Sequence, residues 1–119
     1  MTKIQSWKME AVGKPMRRFD TDAPALQAEE VLVRVAGCGV CHTDLGFFYD
    51  GVHTLKALPL TLGHEISGVV EEAGSSAGSW LRKAVLIPAV MPCGTCDLCR
   101  KGQVRICRNQ KMPGNHIDG

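Results

Sequence analysis

Two stretches of this chain carry residue types and spacings suited to chemistry. Residues 93–107 read CGTCDLCRKGQVRIC, placing Cys93, Cys96, Cys99 and Cys107 in a C-x2-C-x2-C-x7-C pattern. Four thiolates this close suit a tetrahedral zinc ion with Zn–S bonds of ~2.3 Å. The segment has little apolar content, so something other than a core must hold it. A structural zinc can do so, contributing ~10–16 kcal/mol of apparent folding energy. Arg100, Lys101, Arg105 and Arg108 would partly offset the thiolate charge. Ferredoxin-like Fe–S spacing starts the same way but continues with x3 and a Cys-Pro; here the gap is seven residues and Arg108 follows. A nucleic-acid-binding zinc ribbon is the other rival, and we read the basic residues as charge balance.

The second stretch, GCGVCHTD at 37–44, contains Cys38, Cys41 and His42 as C-x-x-C-H. That string attaches c-type haem, and its first four letters match a thioredoxin-like redox motif. Haem attachment requires export and a distal ligand. A thioredoxin motif requires a βαβ setting, and the helices are missing. Neither explains Gly63-His64-Glu65, roughly twenty residues further on. Both stretches lie close behind glycines and near strand edges. A thiolate from Cys41 and an imidazole from His64 on neighbouring strand ends can hold a second zinc with an open position, the mark of a catalytic site. Asp44 and Glu65 are available as supporting carboxylates. Cys38 reads as a small packed residue on the strand end. The alternative for His64, an ordinary satisfied core histidine, stays open on these residues alone.

Composition narrows the partners. The chain has 119 residues, 45% apolar and 22% charged, with formal net charge +2. That is ordinary globular composition for one domain. The charge is too small to argue for nucleic acid or an anionic membrane, and 5% aromatics leave few stacking platforms. The N-terminal MTKIQSWKME has no apolar signal region, and no apolar run approaches a membrane span. The expected compartment is the cytoplasm, where six cysteines point to metal or catalysis rather than a disulfide framework.

The elements that must position these residues are short and mostly extended. Trp7, Met9 and Ala11 alternate with Lys8 and Glu10 as a strand. Gly13-Lys14-Pro15 turns the chain, and 16–19 returns. Thr21 to Gln27 reads as a loop broken by Pro24. Val31 to Ala36 is a strand running into GCGVCHTD. Thr43 to Asp50 predicts a short helix capped by Thr43 or Asp44, and 52–59 a loop. A strand is expected over 62–72, a flexible surface turn at GSSAGS (74–79) and an almost continuous apolar strand over 84–90. From Met91 periodicity ends. The sum is a mainly β domain, closed as a partly open barrel, with an irregular metal-binding lobe over 91–111. No G-x-G-x-x-G dinucleotide motif is present; GCGVCH misses it at the last letter.

Taken together, GCGVCHTD, G-H-E-x-x-G-x5-G from Gly63 to Gly74 and the cysteine quartet, in this order, resemble the zinc-dependent alcohol dehydrogenases of the medium-chain dehydrogenase/reductase superfamily. The resemblance implies a GroES-like catalytic domain holding one catalytic and one structural zinc. Cys41 and His64 would ligate the catalytic zinc, with Glu65 an occasional ligand and Asp44 behind them. Thr43 would bond the substrate oxygen and begin a proton relay, and His42 would sit near the pyrophosphate of NAD. The quartet would be the structural site. Within the superfamily, DLGFFYDGV (44–52), LPLTLGHEISG (58–68), LIPAVMPCG (86–94) and QKMPGN (110–115) resemble dehydrogenases of a ring alcohol carried as a CoA thioester in anaerobic aromatic breakdown. A homo-oligomer is implied for the intact enzyme.

Three departures accompany the resemblance. Gly46 stands where many relatives place a relay histidine. The usual G-D-R-V turn reads Arg82-Lys83-Ala84-Val85. The chain stops at Gly119, before the family's third zinc ligand and its Rossmann domain, so an N-terminal part inactive by itself is expected. The alternatives are the same dehydrogenase chemistry on a simpler alcohol and a free-standing, non-catalytic zinc-binding GroES-like module; the module predicts a complete fold, whereas PGNHIDG (113–119) is expected to end without a closing strand.

Overall fold

The computed structural model describes residues 2–119. Valine-rich, glycine-punctuated segments give five strands in two antiparallel sheets. Strands β1 (Lys3–Lys8) and β2 (Arg17–Asp22) form a hairpin. Strands β3 (Val31–Gly39), β4 (Glu65–Ala73) and β5 (Ala84–Ile87) form the second sheet in that order. Just past β1, Met9 and the loop residue Leu60 exchange both backbone hydrogen bonds, at 2.9 and 3.0 Å. Met9, Leu60 and Val70 are fully buried there and beside it, joined by Phe47 and Ile66. The architecture is mainly β and GroES-like, and among the described residues the strands do not close into a barrel. An open cleft of about 900 Å³ remains between β1 and β3, walled by apolar side chains such as Trp7, Val35, Phe48 and Ile66.

Several expectations shift. The first strand lies earlier than 7–11, and at two positions the expected facing is inverted: Lys8 is half-buried while Trp7 is 59% exposed on the cleft, although Met9 stays buried. Lys8 can point inward because Asp118 meets its ammonium at 3.1 Å and its stem lies along the surface. β2 extends to Asp22, three residues beyond the expected return. β3 continues through Gly37, Cys38 and Gly39, bulging between Val35 and Gly37, which allows the extra residue and bends the strand. β5 has only four residues, and Leu86 is 80% exposed. Pro88 ends the ladder it could not donate to.

The GSSAGS segment is tied down rather than loose. Gly74 and Ser76 donate to the carbonyls of Glu30 and Ala28, and Ala77 is buried. The neighbouring turn forms with Arg82 in a backbone conformation that favours glycine. Arg82 adopts φ 65°, donates to Val70 O at 2.9 Å, and lets Val70 donate to Lys83 O at 3.0 Å. The final segment also pairs, without becoming a strand. Met91 and Lys111 exchange two hydrogen bonds, and Gly119 donates to Thr61 O.

Candidate metal centres

The β3–β4 register builds the first centre. Cys38 faces Ile66 and Gly39 faces Glu65 across the ladder. Cys41, two residues beyond Gly39, and His64, one before Glu65, therefore emerge at the same sheet end. Helix α1 (His42–Tyr49) starts at once, with Cys41 rather than Thr43 or Asp44 as its N-cap. Cys41 keeps extended backbone, φ −111° and ψ 173°, and Asp44 reaches back so that its Oδ2 accepts the Cys41 N–H at 3.0 Å. Asp44 sits at the third helical position, where a carboxylate can satisfy an unpaired N-terminal donor.

Cys41 Sγ lies 3.0 Å from His64 Nε2. On the other ring edge, Asp44 Oδ1 is 3.6 Å from Nδ1, too far for a hydrogen bond. Asp44 and His64 are 6% and 8% exposed, and these two facing atoms are buried without a partner. The sulfur, nitrogen and oxygen donors of Cys41, His64 and Asp44 lie within 4.8 Å of one another. A thiolate, an imidazole and a carboxylate so gathered, with orphaned buried polar atoms among them, fit a zinc ion. Nε2 turned to the thiolate and Nδ1 to the carboxylate is the division of labour expected of a liganding histidine.

Glu65 lies outside this set. It is exposed at the start of β4, with its side chain against Gly39. Thr43 and His42 are exposed on the first turn of α1, beside the centre. Cys38, expected as a packed residue, is exposed and borders the cleft, because the bulged end of β3 has no cover on that face. Its Sγ would lie 2.7 Å from a Cβ at Gly63, so the residue before His64 must be small.

The second centre brings together all four expected cysteines. Their sulfurs lie within 4.8 Å of one another, and none forms a disulfide. Backbone amides converge on them. Thr95 and Cys96 N–H reach Cys93 Sγ at 3.4 and 3.3 Å, Cys99 N–H reaches Cys96 Sγ at 3.4 Å, and Cys93 and Asn109 N–H reach Cys107 Sγ at 3.3 Å each. The short helix α2 (Asp97–Arg100) begins from Cys96 as its N-cap. Gly94 and Gly102 take φ +75° and +76°, turning the loop tightly enough to aim the sulfurs inward.

These amides hold the Cys93 thiol down to about 5, the Thr95 N–H contributing most. Cys96 is lowered chiefly by the Cys99 N–H. Burial pushes Cys99 up to about 12. A thiolate-rich cage already furnished with N–H donors fits a structural zinc. Arg108 clamps Asp97 with two hydrogen bonds, at 2.6 and 3.0 Å, which holds the Asp97 carboxyl below its usual range.

Residues 27–119 match the model of the alcohol dehydrogenase GroES-like domain. The chain belongs to this family. It is 36% identical, over its whole length, to D-arabinose 1-dehydrogenase (NADP(+)) of Saccharolobus solfataricus, covering 34% of that protein. The alcohol dehydrogenase of Aeropyrum pernix is 37% identical in solved form, with a TM-score of 0.84 over 98% of this chain and 35% of that one. A cobalt- and zinc-bound thermostable alcohol dehydrogenase from Pyrobaculum aerophilum superposes with a TM-score of 0.83 at 25% identity, covering 99% of this chain and 37% of that one. The chain thus spans about a third of the length of the curated relatives it matches.

As a GroES-like domain of this family, it gathers Cys41, Asp44 and His64 at the β3–β4 sheet end and the four cysteines in the looped lobe. None of its described helices is long and apolar enough to cross a membrane. The sequence patterns did not single out Asp118 and Gly114, which pack against the turn leading to His64. Their spacing in PGNHIDG carries no periodic signal, and only the Gly and Pro content marks a turn there.

Proposed function

We propose that this domain is the zinc-holding part of an NAD(P)-dependent alcohol dehydrogenase. The 3.0 Å approach of Cys41 Sγ to His64 Nε2, with Asp44 behind the ring, carries the proposal. Cys41 and His64 would hold the catalytic ion, with Asp44 supporting the ring from behind and Glu65 an occasional ligand. Zinc bound there would act as a Lewis acid on an alcohol or carbonyl oxygen. Asp44 would accept the Nδ1 proton of His64 as a hydrogen bond and keep Nε2 free for the metal. The exposed Thr43 hydroxyl would receive the alcohol proton and pass it to solvent, and a nicotinamide, when bound, would supply the hydride acceptor. His42, exposed beside it, would meet the coenzyme pyrophosphate. The quartet would hold the structural ion. All three strand pairings here are antiparallel, so a Rossmann unit for the coenzyme must come from other residues.

For substrate, we infer the ring hydroxyl of 6-hydroxycyclohex-1-ene-1-carbonyl-CoA, in anaerobic benzoyl-CoA breakdown. The support is the resemblance of DLGFFYDGV, LPLTLGHEISG, LIPAVMPCG and QKMPGN to that dehydrogenase. The enzyme would work as a cytoplasmic homo-oligomer. A simpler alcohol or sugar is the competing substrate, favoured by the 36% identity to D-arabinose 1-dehydrogenase.

Metal content tests the function first. Protein purified without added metal should carry zinc and no iron, and a Cys41→Ser, His64→Ala double variant should keep only the quartet's ion. Iron in place of zinc would overturn the dehydrogenase proposal. The 119-residue chain given NAD and the CoA thioester should produce no NADH. Turnover by the chain alone would show that it needs no separate coenzyme unit.

A further inference from the structure

The turn that presents His64 is gripped from one side by the last residues of the chain. Both backbone groups of Thr61 are engaged there. Asp118 Oδ1 accepts the Thr61 N–H at 2.8 Å, and Gly119 N–H donates to Thr61 O at 2.8 Å. Asp118 Oδ2 meets Lys8 Nζ at 3.1 Å and Lys56 Nζ at 3.7 Å. One carboxylate therefore ties together the end of β1, the 56–61 loop and the His64 turn.

Gly114 closes the grip. It holds φ +79°, and a Cβ there would lie 2.5 Å from Gly63 N and 2.8 Å from Gly63 O. Gly63 itself adopts φ +118° and is buried, with Cys38 Sγ on its other side. The residue before His64 is thus held between residue 114 and the β3 end. Asn115 extends the contact, accepting the Leu55 N–H on its side chain at 2.9 Å and the Lys56 N–H on its carbonyl at 2.7 Å. The strap keeps its own shape: His116 Nδ1 accepts the Met112 N–H at 3.0 Å, and Gly114 donates to Ile117 O at 2.8 Å.

The geometry points to residues 112–119 as a strap that positions His64, with Asp118 and Gly114 as its positioning residues. Neither hydrogen-bonds to Cys41 or His64; both act through the Thr61–Gly63 backbone. Metal sites demand ligands held within ~0.5 Å of the productive geometry, and a histidine on a buried turn meets that demand only if the turn is fixed. The functional consequence of the strap rests on Cys41 and His64 being metal ligands.

Two measurements on the full chain separate the strap from that premise. The first uses zinc-loaded protein and follows the His64 ring nitrogen resonances and the amide exchange of residues 61–64 by NMR. Asp118→Ala should broaden or split the ring signals and speed exchange at 62–64 about tenfold, with little change at Val69 and Val70 in β4. Gly114→Ala should do the same through the opposite contact. Asp118→Asn, which keeps an acceptor for Thr61, should restore most of the native pattern. Unchanged His64 signals in both Asp118→Ala and Gly114→Ala would overturn the strap, as would loosening spread evenly over β3–β5.

The second measurement titrates cobalt(II). Affinity at the Cys41–His64 centre should fall about tenfold in Asp118→Ala, by analogy with supporting residues at other metal sites, while the quartet's thiolate bands stay unchanged. A wild-type chain that takes no second cobalt would sink the metal premise, and the NMR comparison would still decide the strap.

Discussion

Asp44 Oδ1 lies 3.6 Å from His64 Nδ1, and both atoms are buried without another partner. A slight closure would turn this contact into a hydrogen bond that fixes the ring and its tautomer. Asp44→Asn keeps an acceptor for the Cys41 N–H but removes the charge facing the ring. Zinc affinity at this centre should drop about 10–100-fold, with the quartet unaffected. Competition against a chromophoric chelator, in the wild type and in a quartet-only variant, measures it.

Arg82 holds φ 65°, a conformation that costs a non-glycine residue ~1–2 kcal/mol. Glycine would relieve this but adds freedom to the unfolded chain, at ~0.4–1 kcal/mol. Arg82→Gly should therefore stabilise the domain by about 0.5–1 kcal/mol. Denaturant unfolding at fixed zinc concentration is the readout. A destabilised variant would show that the Arg82 side chain makes a larger contribution than its backbone strain removes.

Burial holds the Cys99 thiol protonated, up to about 12, while the Thr95 and Cys96 amides hold Cys93 down to about 5. Metal binding must displace the Cys99 proton. Zinc added to the metal-free protein in weakly buffered solution at pH 7 should release protons, and Cys99→Ser should diminish the release. The wild type should retain zinc less well as pH falls, because protons compete for the thiolates. Potentiometric titration during zinc addition follows both effects.

Partial burial pushes the Asp118 carboxyl up, but the Thr61 N–H and the Lys8 and Lys56 ammonium groups outweigh it and lower its pKa. A carboxyl depressed in the folded state stabilises the fold above its unfolded value of about 3.9. That contribution disappears as pH falls through the folded value. Asp118→Asn should flatten the acid limb of stability below about pH 4 and leave its shape near neutrality unchanged. Thermal unfolding from pH 2 to 7 tests this, with Asp97→Asn as a comparison, since Arg108 lowers that carboxyl too.

The sequence by itself determined which cysteines would lie together and where most of the local elements would form. C-x2-C-x2-C-x7-C needs only a short loop to bring four sulfurs together, so the spacing of Cys93, Cys96, Cys99 and Cys107 already gathers them. The valine-rich run from Val31 and the glycine-punctuated run behind His64 read as strands, because side chains alternate along extended backbone. Tertiary structure decided whatever depended on distant partners. Lys8 turned inward because Asp118, 110 residues away, meets its charge. Cys41 rather than Thr43 became the cap because the chain leaves β3 extended and Asp44 reaches back. Asp44 became a neighbour of His64 through the Gly39–Glu65 register, which no local pattern specifies. The grip of Gly114 and Asp118 on the His64 turn was invisible in the sequence for the same reason: close backbone packing between segments about fifty residues apart leaves no periodicity, only a glycine and an aspartate in a turn.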